Sequence, residues 1–465
     1  MTIISILLGL IGLGIMVFVH ELGHFVAAKA NGVVVETFSL GWGPRLVGFK
    51  KGETVYQISW FPIGGYCKMR GEITPGIAGG EGAQSVSREA AANGAPREGS
   101  FNAAAPWRRI VISAAGPIFN LIFAVITFSI ISLVGYSYRS YDNRIALATD
   151  YSRQLSGDQP PATAAGLKTG DRILAISGQP IQSFQDIREA VSVAPNKRLV
   201  FRIERAENGT ERSFDVPVVP RLDKDSGAGQ IGILPWIDPV VAAVAPGSGA
   251  SIAGLGKGDL ILSANGSAVR NVWDLIPVLS SAPGKMTVDF ERGGERRSAL
   301  VVFERNSVVG FDFAGKMLGI SFAEKEYATP RLGLPQALEH GIAQTWDTFS
   351  LTVKGFGLLF QGVNLRKAVA GPLKIIDYIG SAAVIGGALA LFQFLAFLSV
   401  VLFIMNLLPI PAMDGGQIIL FIIEVVRGRA VPANLFWRVQ IIGFSILLAL
   451  IVIVSFNDIL SFAGH

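Results

Sequence analysis

Four runs of apolar side chains, about Ile3 to Val19, Ile110 to Val134, Ala388 to Met413 and Ile441 to Phe456, constrain this chain more than anything else in it. A hydrocarbon core of about 30 Å is crossed by roughly 20 helical residues at about 1.5 Å each, and every run is near that length. Backbone N–H and C=O groups at that depth must pair within the segment, so the runs read as helices. Half of the 465 residues are hydrophobic and only 16% are charged; a soluble chain would carry about a quarter charged. The balance is that of a polytopic α-helical membrane protein with a soluble portion, surrounded by membrane lipid. The first run has no positive segment before it, its apolar core is long for a signal peptide, and Ala28-Lys29-Ala30 is a poor cleavage site, so it reads as a retained span. The formal charge of +5 is small and spread along the chain, which excludes nucleic acid as a partner.

Basic residues beside the spans set an orientation. Lys29 follows the first, Arg108 and Arg109 precede the second, and Arg427, Arg429 and Arg438 lie between the third and fourth. Those flanks are expected in the cytoplasm; the N- and C-termini and the segment from Gly135 to about Gly387 are expected on the periplasmic side of a bacterial inner membrane, although Arg139 and Arg144 reduce the contrast. Cys67 is the one cysteine, so no intrachain disulfide forms, and any metal must be held by His, Asp or Glu.

The expected organisation is a first span over 1–31, a cytoplasmic β-hairpin region and flexible linker over 32–107, a second span over 108–135, two α/β units over 136–230 and 231–325, an amphipathic helical segment over 326–387, a third span over 388–416, a cytoplasmic loop over 417–437, and a fourth span with the C-terminus over 438–465. The two units come from an internal repeat: "AGLKTGDRILAISG" from Ala165 matches "AGLGKGDLILSANG" from Ala253 without a gap. Glycines and the aspartate supply turn chemistry, Leu167 and Leu255 are core, and each Ile-Leu pair opens a strand. The A-G-L-x-x-G-D-x-I-L pattern resembles bacterial PDZ domains, two in tandem, which bind peptides by adding a strand to a sheet edge. "QIGILPW", Gln230 to Trp236, reads either as the edge strand and carboxylate-binding loop of one copy or as a connecting strand. The stripe Trp346, Phe349, Val353, Phe356 and Phe360 reads as a helix packed on the PDZ pair or lying on the membrane surface.

"VFVHELGHF" ends the first apolar run. On a helix His20 and His24 stand at i and i+4, one face presents both imidazoles to a single ion, and Glu21 beside them can handle a proton. This is the arrangement of zinc metalloproteases, and ionisable groups inside a span persist mainly for function. A catalytic zinc takes a third protein ligand. His340 and His465 fall on the outer side, whereas Asp414 follows the third apolar run in "NLLPIPAMDGG". The first and third spans run the same way, so Asp414 is expected at the depth of His20 and His24, where Pro409 and Pro411 break the helix and open a polar cavity.

HELGH in the first span, "GPIFN" (Gly116 to Asn120) in the second, N-x-x-P-x-x-x-x-D-G (Asn406 to Gly415) in the third, and two PDZ-like repeats between them resemble the site-2 protease family over nearly the whole chain. The resemblance implies a zinc intramembrane endopeptidase with His20, His24 and Asp414 as ligands and Glu21 as base. It implies substrate contact by Asn406, and a membrane-associated β-hairpin ending at Gly64-Gly65-Tyr66 beside the substrate. It further implies single-pass membrane substrates, an already trimmed anti-sigma factor among them, with the PDZ pair meeting a peptide or the periplasmic part of the substrate. Met413 stands where many relatives carry Leu. Within the hairpin, the alternating run Thr54 to Trp60 could offer a strand edge to an extended substrate. The alternative is a non-catalytic PDZ scaffold in the membrane with a structural metal, which leaves Glu21 without a task.

Overall fold

The computed structural model describes residues 2–72, 98–151, 159–207, 209–303, 317–359 and 370–463. Its contacts divide the chain into two compact units, one made of Met1–Tyr136 with Thr329–His465, the other of Ser137–Ala328. Residues 73–97, the greater part of the segment read as a linker, together with Phe360 and His465, lie outside the described residues.

The first unit is helical with one β-hairpin. Helix α1, Ile3–Ala30, is opened by Thr2, whose side chain takes the Ser5 N–H while Ser5 reciprocates. The hairpin follows as β1, Val35–Lys51, and β2, Thr54–Met69. Helix α2, Pro106–Val134, starts on a proline, whose missing N–H costs nothing at that position. Helix α3 covers Leu334–Leu359 and α4 covers Pro372–Leu407, with Gly387 out of helical geometry inside it. Asp414–Arg427 forms α5 and Ala433–Ala463 forms α6. Among the described residues four helices are long and apolar enough to cross a membrane: Ile3–Ala30, Pro106–Val134, Pro372–Leu407 and Asn434–Phe462.

Small residues set how closely these helices approach. A Cβ on Gly9 would strike the Ile376 carbonyl, and one on Gly380 the Ser5 backbone, so α1 and α4 cross at near backbone contact. This is how helices associate where lipid removes the hydrophobic drive. The aromatic stripe of α3 divides: Phe349 and Phe356 pack against Ala124, Phe128, Ala396, Val400 and Ile404, while Trp346 stays exposed. Gly341 lies against the backbone of Val125 and Ser129. The helix expected on the PDZ pair or on the membrane surface is therefore a partner of α2 and α4, because its rings and its small residues together fit the groove between them.

The third span also differs from its expected end. Pro409 and Pro411 cannot continue α4, which stops at Leu407, and the chain turns through Ala412 at φ +74 before Asp414 opens a new helix. Residues 417–427, expected as loop, belong to α5. Gly443 of α6 has Pro411 where a Cβ would be, and Gln440 accepts the Ala412 N–H at 2.8 Å, so α6 braces the turn.

The hairpin is curled. Val55 to Ile58 pairs with Val47 to Lys50 on one side and with Thr37 to Leu40 on the other, and Thr37 to Leu40 pairs in turn with Gly65 to Lys68. Both edges of Val55 to Ile58 are thus taken, and the free strand edge expected there is absent.

In the second unit the repeat folds twice into the same four-stranded antiparallel order. One sheet runs Gln179–Pro180, Arg172–Ile176, Leu199–Glu207, Thr210–Val218; the other runs Ser267–Ala268, Leu260–Ala264, Lys285–Arg292, Glu295–Val302. Each has its own core, one around Phe201 and Ile203, the other around Ile261 and Leu279. Gly166 and Gly254 both take positive φ. Asp171 binds Arg205 at 2.7 and 2.8 Å and caps the Lys168 N–H; Asp259 binds Arg292 at 2.6 and 2.7 Å and caps the Gly256 N–H. Ile233–Pro235, within QIGILPW, pairs with Ile145–Leu147. Ile145 and Leu147 enter the first core and Ala146 the second, so this segment is a connecting strand.

Candidate active site

Helical spacing on α1 puts His20 and His24 one above the other, and α5 brings its first residue, Asp414, to them. His20 Nε2 lies 3.2 Å from His24 Nε2 and 3.3 Å from Asp414 Oδ2, and His24 Nε2 lies 3.6 Å from Asp414 Oδ1. The three donor atoms lie within 4.8 Å of one another. Ligands about 2.0–2.1 Å from a tetrahedral zinc stand about 3.3 Å apart, so two imidazole nitrogens and a carboxylate oxygen at these separations suit that ion. His24 donates from Nδ1 to the Ile112 carbonyl at 2.9 Å, which leaves Nε2 its lone pair for a metal. Asp414 occupies the first turn of α5, where the exposed N–H groups of a helix stabilise a carboxylate.

Helix α2 closes one side. Gly23 rests against the Ala115 carbonyl, and a Cβ on Gly116 would enter the space of His24 Nε2 and lie 2.8 Å from His20 Cε1. Only glycine at 116 lets α2 lie against both imidazoles. Asn120, fully buried one turn further along, has Nδ2 3.3 Å from His20 Nδ1. Sequence reading singled out Gly116 to Asn120 only as a motif. The i, i+4 spacing of Gly116 and Asn120 was the available signal that they share the face turned to the histidines.

The hairpin reaches the same place. A Cβ on Gly65 would sit 2.8 Å from the Ser39 carbonyl and 3.6 Å from Glu21 Cγ, so β2 runs directly past the glutamate. Gly64 is at φ +85, with the Trp42 indole nitrogen 2.5 Å from where a Cβ would be. The Tyr66 hydroxyl accepts from Gln57 Nε2 at 3.2 Å, in a cluster with Ser39 and Ser59, whose hydroxyls are 2.9 Å apart. Asn406 sits half-buried in the last turn of α4 and makes no hydrogen bond to the His–Asp cluster among the described residues. His340 is away from the cluster, with Nδ1 3.0 Å from Ser132 Oγ.

Two histidines and a glutamate on a membrane-length helix, joined by an aspartate at the start of α5, define an integral-membrane metalloprotease. The chain matches the model of peptidase family M50 over residues 8–450. It is 35% identical over 464 residues to "Putative zinc metalloprotease" of Treponema pallidum (strain Nichols), covering 98% of this chain and 99% of that one. It is 30% identical over 464 residues to "Regulator of sigma-E protease RseP" of Salmonella typhimurium (strain 14028s / SGSC 2262), covering 97% of each. The chain belongs to peptidase family M50 and is a zinc metalloprotease of the site-2 type.

Proposed function

We propose that this chain cleaves transmembrane segments of single-pass membrane proteins, with His20, His24 and Asp414 holding the zinc and Glu21 acting as general base. The observation that carries the assignment is the convergence of three ligand-type atoms from α1 and α5 beside the glutamate of HELGH. Zinc, when bound, polarises the scissile carbonyl and lowers the pKa of a water toward about 7. Glu21 accepts the proton of the attacking water and returns it to the departing amine, so the carboxylate ends the cycle as it began. Gly65 lets the backbone of β2 approach Glu21, and Gly64, Gly65 and Tyr66, with Asn406, are the contacts for substrate.

A substrate helix must be locally extended before a carbonyl is accessible, and extended backbone at that depth needs hydrogen-bond partners. Leu46, Val47, Phe49, Ile58, Trp60 and Phe61 of the hairpin are all exposed and apolar, which fits a strand element lying in lipid beside the site. In this reading the site lies toward the cytoplasmic side of a bacterial inner membrane, with both termini and the repeated units periplasmic, an orientation that the basic residues beside the spans support. The two repeats act as PDZ domains that meet the periplasmic part of a substrate. The substrate in this reading is a trimmed anti-sigma factor in an envelope stress response, which similarity to a Salmonella protein described as a regulator of sigma-E protease supports.

The test is cleavage of a tail-trimmed single-pass protein by the purified chain in liposomes, wild type against Glu21→Gln. The variant should retain one zinc per chain and lose cleavage by about 100-fold or more. Cleavage at wild-type rate would remove Glu21 from the mechanism, and loss of the zinc would make it a ligand.

A further inference from the structure

We infer that Asn120 is a positioning residue for His20: its side-chain carbonyl takes the hydrogen of His20 Nδ1, which fixes the tautomer whose Nε2 can bind zinc. The inference rests on the assignment of His20 as a ligand and adds a residue to it.

His20 turns Nε2 toward His24 and Asp414 and Nδ1 toward Asn120, at 3.3 Å from Nδ2. A neutral imidazole carries one N–H, so Nε2 is free to bind a cation only when the hydrogen is on Nδ1. That hydrogen needs an acceptor. Asn120 is fully buried, the amide is the group next to Nδ1, and its Oδ1 has no hydrogen-bond partner. The two ends of a carboxamide are alike in size, so a half turn about Cβ–Cγ brings Oδ1 to Nδ1 with no change in packing. With Nδ2 facing Nδ1 the amide favours the tautomer that blocks Nε2; with Oδ1 facing it, the amide favours the one that binds.

The other histidine supports the same reading. His24 Nδ1 donates to the Ile112 carbonyl at 2.9 Å, so its second nitrogen is already anchored by an oxygen of α2. Ile112, Gly116 and Asn120 follow one another at intervals of one turn, on one face of α2. One turn supplies an oxygen for His24, the next leaves room for both rings, and the third supplies an oxygen for His20. For His20 the group that faces Nδ1 is a side chain, the amide of Asn120.

The experiment is zinc affinity of the full chain in detergent, by competition with a chromophoric chelator, together with the melting temperature of the stripped protein. Asn120→Leu keeps the volume and removes the acceptor, and should weaken zinc binding about 10–100-fold with little change in melting. Asn120→Asp restores an acceptor and should return affinity to within about threefold of wild type. Asn120→Ala carries the expectation of the leucine variant if that protein does not insert. His20→Ala is the control, with zinc binding lost. Wild-type affinity in Asn120→Leu or Asn120→Ala while His20→Ala loses zinc overturns the role of Asn120 alone, as does an Asn120→Asp protein as weak as the leucine variant. Retention of zinc by His20→Ala overturns the ligand assignment, and this inference with it.

Discussion

The His-His-Asp cluster and the repeated α/β units use the same residue types to opposite ends. In the repeats an aspartate sits in a glycine turn and is held by an arginine of the strand that pairs alongside, Asp171 by Arg205 and Asp259 by Arg292, and the bond shapes the fold. In the cluster an aspartate that starts α5 faces two histidines of α1, with its oxygens 3.3 and 3.6 Å from their nitrogens and without an arginine or lysine paired to it among the described residues. A carboxylate matched to a guanidinium is satisfied by the fold itself. One matched only to imidazole nitrogens is left with capacity for a cation. The glycines divide likewise: in the repeats they supply positive φ, whereas Gly116 supplies space.

The sharpest way to break this comparison is to put alanine at Gly116. A Cβ there would lie 2.7 Å from His24 Cε1 and 2.8 Å from His20 Cε1, both rings are anchored, and Gly23 of α1 already rests against the Ala115 carbonyl of α2. The rings must move, so zinc content and proteolysis should both fall, proteolysis by about 100-fold or more. An active, zinc-loaded Gly116→Ala protein would show that α2 does not shape the site.

Next in size is the buried ion pair of Arg109 with Glu424, at 2.5 Å, which ties α2 to α5. Glu424 also accepts the Val431 N–H at 2.8 Å, and Arg109 lies over the Phe421 ring. Glu424→Gln leaves a buried guanidinium unpaired and should cost about 3–5 kcal/mol of stability. The pair lies along the helix whose first residue is Asp414, so zinc affinity should fall with it. Unchanged melting and unchanged zinc binding would mean that α5 is positioned by its turn alone.

How much of this was legible in the sequence follows from the range of each interaction. The four spans and HELGH are local patterns, apolar length in one case and i, i+4 spacing in the other; HELGH lies on α1 as expected, and four helices of membrane length are present among the described residues, although the third runs Pro372–Leu407 and not over 388–416. Asp414 was found by its depth in the third run, although the structure moves it to the start of a separate helix once Pro409 and Pro411 have ended α4. Asn120 and Gly116 were seen as letters of a motif and not as neighbours of the histidines, since nothing local in α2 records what lies across from it. The hairpin strands were expected, yet their curl was not. Pairing of Thr37 to Leu40 with two separate stretches of β2 depends on bulges that simple alternation does not signal.

The aspartates of the repeats should give a smaller effect than Glu424. Asp171→Asn weakens the bond to a mostly buried Arg205 and should cost about 2 kcal/mol. Asp259→Asn should cost less, because Arg292 is more exposed and water screens the pair. Burial of Asp259 works against its charge, but the hydrogen bonds from Arg292 and from the Gly256 N–H outweigh it and hold the carboxyl below its ordinary value. A group depressed on folding contributes stability above its unfolded pKa of about 3.9, and that contribution is lost as pH falls through the folded value. Melting of the wild type should therefore fall below about pH 4, and the Asp259→Asn protein should lose less over the same interval. Equal acid sensitivity in the two proteins would remove Asp259 from the response.

The smallest expected effect comes from the same change as the largest. Gly166 and Gly254 take φ of +84 and +80, and a Cβ at either would meet nothing within 4 Å. Alanine there suffers only the backbone preference against the left-handed region, about 1–2 kcal/mol, partly offset by the lower entropy of the unfolded chain. The cost should be the same in both copies, because the two turns have the same conformation. It should appear as a modest drop in melting temperature, with zinc affinity and cleavage of a tail-trimmed substrate unchanged. Gly116→Ala inverts that pattern: its Cβ would meet both histidine rings, its φ is helical, and its effect falls on the metal and not on the backbone. If Gly166→Ala lost zinc, the turn chemistry of the repeats would be coupled to the cluster, and the division between glycines that shape the chain and the glycine that makes room for the site would fail.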